Sequence, residues 1–178
     1  MDMGGRMDGE RDFSRFVRAH TSALLRTAYL LTGDVSSAEE LVQDTLVRLY
    51  PKWQLVQAAD VPLAYVRRSL ANAFVNHSRR ASRREIAVEF LPERPDGRDL
   101  PGQLDDRDEL WSMLRELPDR QRAALVLRFF HDLPDDEIGT ALGCRIGTVR
   151  SLISRGLAEL RSRVAAQHET GTSGRRLA

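Results

Sequence analysis

Apolar residues recur at three- and four-residue steps from Phe13 onward. Phe13, Phe16, Val17, His20, Leu24, Ala28 and Leu31 form the inward stripe of an amphipathic helix, which Gly33-Asp34 ends. Ser36 with Glu39 and Ser37 with Glu40 offer overlapping capping boxes for a following helix. That helix turns Leu41, Val42, Thr45, Leu46 and Leu49 inward until Pro51 disrupts it near Trp53. Another opens around Asp60-Val61-Pro62 and runs to about Arg80, with Leu63, Val66, Leu70, Ala73, Phe74 and His77 as its inner side. Between about residues 84 and 106 no period survives. Pro92, Pro95, Gly97, Pro101 and Gly102 stand there among Glu and Asp, the composition of a flexible acidic linker. Helical spacing returns with Leu110, Trp111, Leu114 and Leu117 and breaks at Pro118. A helix from Arg122 to Phe130 then buries Leu125, Val126, Phe129 and Phe130. The polar ends, residues 1–11 and 167–178, are expected to be disordered. The pattern therefore predicts an all-α chain of two small helical domains, residues 12–83 and 107–166, joined by the linker at 84–106.

The segment from Asp135 to Arg155 has the form of a helix-turn-helix. Pro134 opens a short helix, where no backbone N–H is needed. Asp135, Asp136 and Glu137 lie at its positive dipole end. Ile138 and Leu142 face inward, and Gly143 supplies the turn. A second helix follows with Val149, Leu152, Ile153 and Leu157 inside. Arg145, Thr148, Arg150, Ser151, Ser154 and Arg155 remain for the other side, and such side chains hydrogen-bond base edges and phosphates. Gly139 stands where the motif usually has alanine.

A second reading face lies on the helix before the linker. Arg68, Asn72, Asn76 and Arg80 step at i+4, flanked by Arg67, Arg79 and Arg83. Asparagine is a poor helix former, so its repeat on one exposed line with arginines points to a function. Asn suits adenine edges; Arg suits guanine and phosphate.

Composition narrows the field. The chain has 178 residues and a net charge of +1, so total charge says little, whereas its distribution says more. No acidic residue falls between Val61 and Arg84, and the sign reverses from Glu85 to Glu109. Such blocks suit one surface made for a polyanion and another that avoids or imitates it. The single cysteine, Cys144, excludes an internal disulfide and a multi-cysteine zinc site, which fits a reducing cytosol; its slot after Gly143 is expected to be core. No segment reads as membrane-spanning or as a signal peptide. The histidines lack ligand spacing, and no nucleophile elbow, phosphate loop or catalytic carboxylate pair is found. No cofactor, no metal and no catalytic residue is expected.

Two DNA-reading helical modules on an acidic tether resemble a bacterial extracytoplasmic-function (group IV, sigma-70 family) RNA polymerase sigma factor. The likeness is carried by Ser37 to Tyr50, by Leu117-Pro-Asp-Arg-Gln-Arg122 and by Gly147 to Leu157. Ala64 to Asn72 is similar to the actinobacterial SigE-type branch. The resemblance implies a cytoplasmic, non-enzymatic factor that binds core RNA polymerase and directs promoter-specific initiation. Region 2 would dock on the β′ clamp helices through Leu41, Gln43, Asp44 and Val47, and read the −10 element through Arg67, Arg68, Asn72, Asn76, Arg79 and Arg80. Region 4 would meet the β flap and bind the −35 element. The linker would enter the polymerase cleft, and an anti-sigma factor would hold the protein inactive. Asn76 stands where the family commonly has aspartate, and Ala71 where it has arginine, so a promoter preference does not carry over. The alternative is a stand-alone helix-turn-helix regulator, which predicts dimers and a palindromic site.

Overall fold

The computed structural model describes the backbone of residues 3–85 and 108–173, and the side chains of residues 9–77 and 112–166. The chain separates into two compact units, one within Met1–Pro101 and the other within Gly102–Ala178. Among the described residues every regular element is helical. The predicted linker lies largely outside the described residues.

In the first unit, helix α1 (Met3–Thr32) packs against α2 (Val35–Leu49) and α4 (Pro62–Glu85), with the short α3 (Trp53–Gln57) between them in sequence. Leu24, Ala28 and Leu31 are fully buried, so the predicted stripe is the core face. Gly33 takes φ 75° to end α1. The cap of α2 differs from the predicted capping boxes. Asp34, in extended backbone, accepts a hydrogen bond from the Ser37 N–H at 2.7 Å. Ser36 and Ser37 are already inside the first turn, and Asp34 does their work.

Pro51 stops α2, and a 3₁₀ turn (Tyr50–Lys52) delivers Trp53 to the interior. Phe13 and Phe16 meet the Trp53 ring with centroids 5.2 and 4.9 Å apart. On α4 the buried side chains are Val66, Leu70, Ala71 and Val75, whereas His77 is exposed. The inner face is thus rotated toward Ala71 and Val75 from the predicted set.

The second unit contains α5 (Asp108–Arg115), α6 (Asp119–Leu125), α7 (Asp135–Leu142) and α8 (Ile146–Ser173). Leu114, Leu117 and Leu125 form its core with Ile153, Leu157 and Leu160 of α8. A Cβ added to Gly156 would come within 2.8 Å of Leu125 Cδ1, so glycine permits the close approach of α6 and α8. Pro118 breaks the chain as predicted. Arg122, only 7% exposed, bridges the break: its Nη2 donates to the carbonyls of Arg115 and Leu117 and to Asp119.

Phe129 and Phe130, predicted to be buried, are 60% and 45% exposed. The helix widens to a π turn over Val126–Phe130, and the changed pitch sends Leu127 inward in their place. Helix also extends beyond the polar-end prediction, back to Met3 in α1 and on to Ser173 in α8. Once packed residues nucleate a helix, each further turn propagates at little cost.

Candidate nucleic-acid interface

The α7–α8 pair has the geometry of a helix-turn-helix. Pro134 is the residue before α7, and its carbonyl accepts the Ile138 N–H at 3.0 Å. Ile138 and Leu142 are buried as predicted. Gly143 closes α7 in the left-handed region at φ 60°. The Cys144 N–H then donates to the Gly139 carbonyl at 2.9 Å. Gly139 explains its own departure from alanine: a Cβ there would lie 2.7 Å from the Cys144 carbonyl oxygen. Cys144 itself is half-buried rather than a core residue, because its backbone, not its side chain, faces α7.

On α8, Val149 is fully buried, while Leu152, Ile153 and Leu157 are half-buried. Arg145, Thr148, Arg150, Ser151, Ser154 and Arg155 are all exposed. The predicted reading face is therefore one continuous solvent-facing side. Arg145 lies just before the helix, and its carbonyl takes the Thr148 and Val149 N–H groups. Ser151 Oγ donates to the Gly147 carbonyl at 3.0 Å, which leaves its lone pairs free to accept from a base. The sequence reading missed Ile146, an exposed apolar residue at the start of the same face. It also missed Arg120, whose Nη2 donates to the Leu142 carbonyl at 3.0 Å and ties α6 to the turn.

The α4 stripe is only partly assembled as predicted. Asn72 and Asn76 are exposed, and the Asn76 amide N–H donates to the Asn72 side-chain oxygen. Arg68 is half-buried beside them. Arg67 leaves the stripe and faces inward, because its position falls among those of Leu63, Leu70 and Phe74 on the helix. Burial, and then the charge of Arg26 on α1, push its pKa down. The side chains of Arg79 and Arg80 lie outside the described residues.

The predicted polymerase contacts divide in the same way. Gln43 and Val47 line an apolar groove between α1 and α2, together with Phe13, Val17, Leu46 and Tyr50. Val47 is 71% exposed, which is unusual for valine on a packed helix. Asp44 is exposed and pairs with Arg48 at 3.4 Å, and Leu41 is half-buried. Trp53 is in the core.

Residues 16–84 match the model of sigma-70 region 2, and residues 107–160 match that of sigma-70 region 4. The RNA polymerase sigma-E factor of Streptomyces coelicolor is 35% identical, over 88% of this chain and 88% of that protein. The chain belongs to the extracytoplasmic-function group of the sigma-70 family. The ECF RNA polymerase sigma factor SigE of Mycolicibacterium smegmatis is 34% identical to this sigma factor, over 90% of the chain and 64% of the relative. Among solved structures, the sigma factor RpoE of Bartonella quintana, determined in complex with the anti-sigma factor NepR, matches with a TM-score of 0.69 and 25% identity. That match covers 87% of this chain and 98% of that one. As a sigma factor, the protein binds core RNA polymerase and directs promoter-specific initiation. Its family regions coincide with its two units: α1–α4 carry region 2 and α5–α8 carry region 4. Among the described residues no helix is long and apolar enough to cross a membrane.

Proposed function

We propose that the outer face of α8 reads the −35 element and the outer face of α4 reads the −10 element. The observation that carries this is the exposure of Arg145, Thr148, Arg150, Ser151, Ser154 and Arg155 at and along a helix whose Val149 is fully buried. Arginine and threonine at that spacing supply paired donors and a methyl group, which together distinguish base pairs in the major groove. Phosphate contacts from Arg145 set the register, and Arg150 and Arg155 reach base edges. In region 2, Asn72, Asn76, Arg79 and Arg80 are assigned to reading the −10 strand, with Arg68 at the margin; Arg67 supports the helix from beneath. Region 2 extends over residues 12–83 and region 4 over 107–166. The linker at 84–106 enters the polymerase cleft.

Polymerase docks on the α1–α2 groove. Val47 and Gln43 contact the β′ clamp helices there, with Asp44 and Leu41 at its edge, and region 4 meets the β flap. The protein acts in the cytoplasm and catalyses no reaction. An anti-sigma partner covers it in the resting state, a reading supported by the exposed apolar groove and by the complex in which the similar RpoE was solved.

In-vitro transcription with core polymerase on genomic DNA, with start sites mapped, tests this reading. The expected result is a shared pair of promoter elements. Arg150→Ala and Arg155→Ala should erode the upstream element only, and Asn72→Ala and Asn76→Ala the downstream one only. Start sites unchanged by all of them would refute the assignment.

A further inference from the structure

Between Asp12 and Asp34 the sequence has no acidic residue, yet Arg15, Arg18 and Arg26 fall there. With Arg11 and Ser22 they follow one another at steps of four, three, four and four. At 3.6 residues per turn this places them on one narrow line of α1, opposite Leu24, Ala28 and Leu31. Arg11, Arg15, Arg18, Ser22 and Arg26 are all exposed. Arg15 reaches Asp12 at 3.4 Å. Among the described residues no ion pair engages Arg11, Arg18 or Arg26.

At the end of this line Arg26 influences Arg67 of α4. The Arg67 Nε is shut off from solvent and has no hydrogen-bond partner. Burial and the neighbouring Arg26 both disfavour its charge. A half-buried guanidinium beside a second cation gains from an anion brought to the pair.

We propose that the outer face of α1 is a second nucleic-acid surface of region 2, which tracks backbone phosphates and closes on one of them between Arg26 and Arg67. The line from Arg11 to Arg26 is about 22 Å long at 1.5 Å per residue. One strand of B-DNA advances by about six nucleotides over that length. The composition selects phosphate over a protein surface. A protein interface is built around apolar and aromatic anchors, whereas the exposed residues from Arg11 to Arg26 are guanidiniums with only Ala19 and Ser22 among them. Its α1 arginines are distinct from the Asn72 and Asn76 face of α4, so the two readings fail separately.

The test is binding of the full-length chain to a labelled mixed-sequence DNA duplex, followed by anisotropy between about 50 and 200 mM salt. Combining Arg11→Gln, Arg18→Gln and Arg26→Gln should lower the slope of log affinity against log salt by about 2–3, roughly 0.9 for each phosphate no longer neutralised. Asn72→Ala and Asn76→Ala should leave that slope intact. The altered side chains are exposed, so the variant should melt at or above the wild-type temperature. Arg26→Gln alone should raise the melting temperature, by relieving Arg67, while weakening the duplex complex. An unchanged slope overturns the proposal. So does an unchanged slope with lost retention on core polymerase, which would assign the ridge to an acidic protein surface. A lowered melting temperature for Arg26→Gln overturns the phosphate site at Arg67.

Discussion

Arg150 Nε lies 3.0 Å from the Asp135 carboxylate, which joins the exposed face of α8 to the first residue of α7. Asp135 also faces Arg128 at 3.6 Å. In the free protein this carboxylate competes with DNA for the Arg150 guanidinium. Exposed pairs of this kind are worth about 0.2–1 kcal/mol. Asp135→Asn should therefore tighten duplex binding by up to about fivefold at low salt, with the gain fading as salt rises. Anisotropy titrations across salt would measure it. Weaker binding by the variant would instead make Asp135 a residue that orients Arg150 toward DNA.

Gly139→Ala tests the closeness of the turn. The new methyl would meet a backbone carbonyl, that of Cys144, at 2.7 Å, and backbone yields less readily than a side-chain tip. Overpacking of this sort costs about 1–3 kcal/mol. The melting temperature of region 4 should fall and −35 binding should weaken, although no reading residue has changed. Thermal melting followed by circular dichroism, together with footprinting, would check both.

Arg122→Met tests the clamp across Pro118. Arg122 is buried and donates to two carbonyls and one carboxylate. Burial lowers its pKa, Asp119 restores part of that, and Arg115 opposes the restoration. Removal leaves the carbonyls of Arg115 and Leu117 short of a donor, at about 1–3 kcal/mol for each buried group left unsatisfied. Region 4 should unfold at a clearly lower temperature or denaturant concentration. Lysine should rescue little, because a single ammonium does not reproduce the planar fork.

Asp34 supplies a pH-dependent term. Partial burial works to raise its pKa, but hydrogen bonds from Ser37, Ser36 and Val35 outweigh it and hold the pKa below the ordinary value of 3.8. A depressed carboxylate stabilises the fold above its unfolded pKa and loses that contribution as the pH falls through the folded value. Asp34→Ala should cost about 1 kcal/mol near neutrality. It should also flatten the acid limb of stability below about pH 4. Urea melts at graded pH would show both effects; an acid limb as steep as wild type would place the proton uptake elsewhere.

Much of the fold was legible because burial imposes a period. Leu24, Ala28 and Leu31, or Ile138 and Leu142, had no other way to leave water. The exposed face of α8 followed from the same logic in reverse, as the side that Val149 does not share. Where the helical pitch changes, the period misleads: the π turn at Val126–Phe130 carried Phe129 and Phe130 outward. Competition between adjacent caps also defeats a local rule, since Asp34 and the serines after it are all acceptable and only the position of Gly33 decides. Arg67 was misplaced for another reason. Residue type says surface, whereas its angle on α4 says interior, and the long side chain allows both.

The aromatic cluster under the α1–α2 groove links a mechanical event to light. Phe13 both lines that groove and lies edge-on to Trp53, while Tyr50, another lining residue, packs against Phe13 with ring centroids 4.9 Å apart. The chain has only two tryptophans, Trp53 and Trp111, divided between its two units. Whatever seats itself in the groove must press on the ring beside this indole, so its emission gives docking at region 2 an intrinsic fluorescent reporter that needs no label.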